Sequence, residues 1–153
     1  MKDRIDPLIA ERAPWLFSGS PLVRPARAVL DRMLGYEKTV EVGELVADMP
    51  ADDIMRVMAE MLARDVEVTG LHNLPRQGAA LIVSNHPTGI ADGIMLHHVL
   101  GKVRRDTYYF ANHDIMRVLP QYAEMIAPVE WRKEKRSHAK TRETMAYTRK
   151  AVD

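Results

Sequence analysis

Ala79-Ala80-Leu81-Ile82-Val83-Ser84-Asn85-His86-Pro87-Thr88-Gly89-Ile90-Ala91-Asp92-Gly93 is an apolar run that gives way to polar residues, a proline and two glycines. The unbroken stretch from Ala79 to Val83 reads as a strand buried on both faces. It delivers Ser84, Asn85 and His86 to its carboxyl end, where the loops of open α/β sheets converge and helix N-termini offer unpaired N–H donors. A helix over roughly Ala91 to Leu100 follows. Gly89 and Gly93 permit the tight turn between strand and helix and a close approach of backbone to a ligand. A histidine at a strand end with a carboxylate about a turn further on can be oriented through one ring nitrogen while the other accepts a proton. Taken alone, a His and an Asp so close in sequence are more often a capping or surface pair than a catalytic one.

Outward from this stretch the period of the apolar residues changes. Upstream, Val66 and Val68 alternate with Glu67 and Thr69 and start a sheet, and residues 72–78 form a turn. Before residue 65 the pattern is helical. Ile54, Val57, Met58, Met61 and Leu62 fall on one helix face behind the start signal of Asp52 and Asp53. A second helix covers about Pro25 to Leu34 and stops at Gly35, and a third lies near Val40 to Ala47. Downstream, Thr107 to Ala111 and Ile126 to Val129 read as strands flanking short helices broken at Pro120, and a helix over about Ser137 to Val152 closes the chain. Strands alternating with helices predict an α/β domain, with helices packed on a mostly parallel or mixed sheet, preceded by a small helical segment. The expected division is residues 1–64 and 65–153.

Composition excludes several classes. With 46% of its 153 residues in the hydrophobic set, the chain can bury an ordinary core. Its 22 Lys and Arg against 21 Asp and Glu leave no global nucleic-acid signature. No cysteine is present, which removes disulfides, thiolate metal sites and cysteine nucleophiles and fits a reducing, cytoplasmic setting. The N-terminus carries acids and no long apolar stretch, so membrane contact is expected to be peripheral. The ten methionines, at helical spacing, read as core filler. Charge is locally uneven, since residues 132–150 hold eight Lys and Arg against Glu134 and Glu143. A solvated helix face is the ordinary reading of such a run, and a patch for anionic lipid or phosphate the sharper one.

The words LIVSNHPTGIADG resemble the His-Asp signature of the phospholipid and glycerol acyltransferase family, in which Asn-His follows a buried strand and an Asp follows shortly after. The resemblance implies a glycerol-3-phosphate acyltransferase-like fold. It also implies transfer of a fatty acyl group from acyl-CoA or acyl carrier protein, as co-substrate, to a hydroxyl of a glycerol phosphate or lyso-lipid, in phospholipid biosynthesis. His86 is then the general base and Asp92 the carboxylate that holds the imidazole. Asn85, Thr88 and Gly89 are expected to contact substrate. Five residues separate His86 from Asp92, where the commonest form of the signature has four. A looser match runs from Phe110-Ala111-Asn112-His113-Asp114 through Pro120 to Ile126-Ala127-Pro128-Val129 and places the family's phosphate-binding arginine near Arg132.

The family's later blocks, including a Phe-Pro-Glu-Gly-like turn, do not occur in the chain. The sheet is therefore expected to be incomplete, the sequence to be the N-terminal part of a longer enzyme, and an open sheet edge to invite self-association. The competing reading is a non-catalytic lipid- or membrane-binding module on the same scaffold. A metal site is disfavoured, because adjacent His97 and His98 point in different directions along a helix, and Ser84 lies in no nucleophile elbow. The localisation that follows from the resemblance is peripheral, at the inner face of the membrane.

Overall fold

The computed structural model describes residues 1–152, which form two compact units. Unit 1 comprises Met1–Met49 together with Asp114–Pro120, and unit 2 comprises Pro50–His113 and Gln121–Asp153.

Unit 1 is helical: α1 (Lys2–Arg12), a 3-10 turn (Pro14–Phe17), α2 (Val23–Met33), α3 (Tyr36–Leu45) and the short α6 (Asp114–Val118). Gly35 separates α2 from α3 in the left-handed conformation, φ 66°, which costs a residue without a Cβ little. Tyr36, Val40, Val46 and Leu119 are buried. The Tyr36 hydroxyl donates to Asp6 at 2.7 Å, and Arg27 bonds the same carboxylate at 3.2 Å, so a half-buried acid has both a neutral and a charged partner. Desolvation, reinforced by this carboxylate, pushes the Tyr36 phenol well above its ordinary range. Asp114, nearly buried at the start of α6, takes Arg12 at 2.5 Å. Arg117 meets Glu11 at 2.7 Å, so two ion pairs tie α6 to α1.

Unit 2 contains α4 (Ala51–Leu62), α5 (Ile90–Leu100), β1 (Tyr109–Asn112), β2 (Ile126–Val129) and α7 (His138–Val152). β1 and β2 pair in parallel, with Tyr109 opposite Ile126 and Asn112 opposite Val129. The fold is thus α/β with a small, open sheet, as the sequence predicts. α4 packs on α5 and α7 covers β2. Ile54, Met55, Ala59 and Ile94 fill the helix interface, and Tyr122, Met125, Ile126 and Ala127 continue the core. Pro128 removes a ladder donor and confines β2 to an edge. Its carbonyl accepts from the Thr144 hydroxyl of α7. Among the described residues no helix is long and apolar enough to cross a membrane.

Two expected strands do not form. Val66–Thr69 and Ala79–Val83 have no ladder partner, and Leu81 and Val83 are 77% and 83% exposed where a doubly buried strand was expected. An apolar run becomes a central strand only when flanking strands satisfy its N–H and C=O groups and helices cover its faces. Here β1 and β2 are the only strands among the described residues, and the run passes without regular secondary structure into the His86 turn.

Candidate active site

The turn that leaves the unpaired segment is shaped by Pro87 and by Gly89, whose φ of 69° and ψ of −127° lie in a region closed to side-chain-bearing residues. Gly89 is the N-cap of α5 and so places Asp92 in the helix's first turn. A carboxylate there faces the positive end of the helix dipole. Asp92 reaches back over the turn: its Oδ2 accepts from the Thr88 N–H at 3.0 Å and its Oδ1 from the Thr88 hydroxyl at 2.5 Å. His86 Nδ1 lies 3.2 Å from the same Oδ2. The Thr88 bonds hold the Asp92 carboxyl below the usual carboxylate range against the opposing pull of desolvation, with the nearby imidazole adding to the effect. Asp92 is therefore anionic at neutral pH.

An anion at Nδ1 selects the tautomer with its proton on that nitrogen and leaves Nε2 as an acceptor. The imidazole is 69% exposed while the carboxylate is 16% exposed, so the orienting group is covered and the group that would meet a substrate is open. Such a pair can take a proton from a hydroxyl that approaches Nε2, the carboxylate stabilising the imidazolium that results.

His86, Thr88, Gly89 and Asp92 thus form one cluster. Thr88, expected to contact substrate, instead directs both its N–H and its hydroxyl at Asp92 across the turn that opens α5. Asn85 is exposed. Arg132 belongs to a second cluster after β2, which sequence reading did not foresee. There the nearly buried Glu130 carboxylate accepts from Arg132 Nε at 3.3 Å, the Arg132 N–H at 3.1 Å and Lys140 Nζ at 2.7 Å. The Lys140 bond above all pushes the Glu130 carboxyl down to about 2. Arg136 donates to the backbone oxygens of Glu130 and Trp131. The sign of such a cluster is readable from sequence as an acid beside a basic run, but its pairing is not.

A third polar group lies inside unit 2. His97 is 8% exposed on α5, with Nε2 3.2 Å from Asp52 of α4 and Nδ1 3.2 Å from the Tyr109 hydroxyl of β1. Asp52, read from sequence as a helix-start residue, is the partner of this histidine. Among the described residues no three His, Asp or Glu side chains converge as a metal ion would require.

A profile of the Acyltransferase family matches residues 65–153. Two curated relatives, both named lyso-glycine lipid O-acyltransferase, come from Phocaeicola vulgatus and Bacteroides thetaiotaomicron and are each 35% identical to the chain over 77 residues. The aligned stretch is 50% of this chain but 28% of each relative, so the chain spans less than a third of the curated relatives it matches. No solved structure matches the chain.

Proposed function

The chain belongs to the acyltransferase family, and from that premise we propose that it carries the acid–base half of an enzyme that moves a fatty acyl group to a hydroxyl of a lyso-lipid or glycerol phosphate acceptor. The donor is an acyl thioester of CoA or of acyl carrier protein. The observation that carries this reading is the His86–Asp92 contact of 3.2 Å with the imidazole open to solvent.

In the proposed reaction Nε2 of His86 takes the hydroxyl proton as the acceptor oxygen attacks the thioester carbonyl. The C–O bond forms and a tetrahedral oxyanion results. Its collapse breaks the C–S bond, and the imidazolium returns the proton to the departing thiolate. Asp92 stabilises the imidazolium without itself taking a proton, and no acyl-enzyme is required. The acceptor of the two relatives, a lyso-glycine lipid by their names, is one candidate for the hydroxyl-bearing substrate.

Two further elements belong to the proposal. The unpaired apolar stretch Ala79–Val83, together with the fraction of each relative that the chain spans, supports a longer enzyme whose remaining residues complete the sheet and the acceptor site. The helical segment of residues 1–64 then precedes the acyltransferase domain, and the basic run of residues 132–150 supports peripheral contact with the inner face of the membrane.

The test is acyl transfer by the intact enzyme. His86→Ala is expected to lower turnover about 10²-fold to 10⁴-fold with an unchanged circular dichroism spectrum. Asp92→Asn, which offers an amide where the imidazole needs an anion, should lower it as well. Near-normal turnover in His86→Ala would overturn the assignment.

A further inference from the structure

The Asp92 carboxylate has two oxygens, and Thr88 reaches both. The Thr88 N–H donates to Oδ2 at 3.0 Å and the Thr88 hydroxyl to Oδ1 at 2.5 Å, while His86 Nδ1 lies 3.2 Å from Oδ2. The torsion that turns a carboxylate about its Cβ–Cγ bond is broad and roughly two-fold, so the side chain does not orient itself. Two donors on one neighbouring residue do orient it. They fix the plane of the carboxylate against the turn and keep Oδ2 beside the imidazole. With the hydroxyl bond removed, Oδ1 loses this partner, the plane can swing, and Oδ2 no longer has a fixed place at Nδ1.

The same two bonds use up what Thr88 could offer a ligand. A threonine has two donors, its N–H and a hydroxyl with a single proton. Both are committed to Asp92, so neither is left to donate to a substrate phosphate or to a developing oxyanion. Thr88 is exposed, where water competes for its hydroxyl proton, yet the proton goes to the carboxylate in a short bond to a charged acceptor. The electrostatics agree with the geometry. Of the influences that hold the Asp92 carboxyl below its usual range, the Thr88 hydroxyl bond is the largest. A carboxylate of lowered basicity leaves the Nδ1 proton on the imidazole when Nε2 takes a second one, which keeps that second proton available to a leaving group.

We propose that Thr88 is a positioning residue of the reaction, acting through Asp92 on His86 and not by touching the substrate. This rests on the acyl-transfer reading, so one arm of the test needs no turnover. Nitrogen-15 NMR of the 153-residue chain at mildly alkaline pH reads which ring nitrogen of His86 carries the proton, and carbon-13 NMR follows the titration of the Asp92 carboxyl. Thr88→Val keeps the branched shape and the N–H and deletes only the hydroxyl. It should mix the two His86 tautomers, where the parent holds the proton on Nδ1, and move the Asp92 midpoint up, with an unchanged circular dichroism spectrum. In the intact enzyme the same variant should lower kcat about 10-fold at unchanged KM. Thr88→Ser, which restores a hydroxyl, should recover most of kcat and the parental spectra. A raised KM at unchanged kcat would make Thr88 a substrate contact and overturn the proposal. So would a His86 tautomer and an Asp92 midpoint that both keep their parental values in Thr88→Val. The acyl-transfer reading fails separately, through near-normal turnover in His86→Ala, and the spectra of Thr88→Val do not depend on that result.

Discussion

Leu81→Ala and Ile94→Ala are both large-to-small changes in apolar runs, and the structure assigns them opposite outcomes. Ile94 is 1% exposed between α4 and α5, and Leu81 is 77% exposed on the unpaired segment. Truncating Ile94 removes three carbon groups at ~0.8 kcal/mol each, and the cavity left behind raises the total to about 3–4 kcal/mol. Truncating Leu81 should cost no more than ~0.5 kcal/mol, because most of its side chain is already in water. In urea unfolding followed by far-UV circular dichroism, with a slope near 2 kcal/mol/M, the midpoints should fall by roughly 1.5–2 M and by less than ~0.3 M respectively. Ile94→Val, expected to lose about 1 kcal/mol, keeps the comparison readable if the alanine variant does not fold. Equal losses at the two sites would refute the placement of Ala79–Val83 outside the core. A Leu81→Ala loss that grows with protein concentration would instead show the segment covered by a second copy through the open edge.

Two further outcomes follow. Burial is the main reason the His97 imidazole is held below its ordinary range, so the fold prefers it neutral; the unfolded chain takes the proton first as pH falls. The stability His97 lends should be intact above about pH 6.5 and decline as pH drops from there towards its lowered folded value, and urea melts at pH 7.5 and 5.5 that differ no less in His97→Gln than in the parent would exclude this origin. The basic run of residues 132–150 should make vesicle binding depend on anionic lipid and weaken with salt, and equal sedimentation with neutral and anionic vesicles would count against it.

What could be read in the sequence divides by the range of the interactions involved. α4 was legible because Ile54, Val57 and Met58 carry their own period, and β2 because Ile126–Val129 is short, apolar and bounded. The turn between His86 and Asp92 was legible because its geometry is local, set by Gly89 and by the short separation of the two residues, whereas the Thr88 bonds to Asp92 were not read. Ala79–Val83 misled because apolar content says that a segment can be a central strand, not that strands exist to flank it. Glu130 with Lys140, and Asp52 with His97, were illegible because each pair is separated by a stretch of chain whose path tertiary structure alone decides.

The crossover from β1 to β2 gives the chain an interleaved topology. It leaves unit 2 after His113, contributes Asp114–Pro120 to the helical unit and returns at Gln121. No single cut separates the two units. A protein beginning at Pro50 would keep α6 but lose Arg12, leaving the nearly buried Asp114 with its neighbour Arg117 and without its closest cation. Dissection experiments that treat the first helices as a detachable leader should therefore disturb the loop that joins the two strands, and a loss of activity on such trimming would not by itself place substrate-binding groups in those helices.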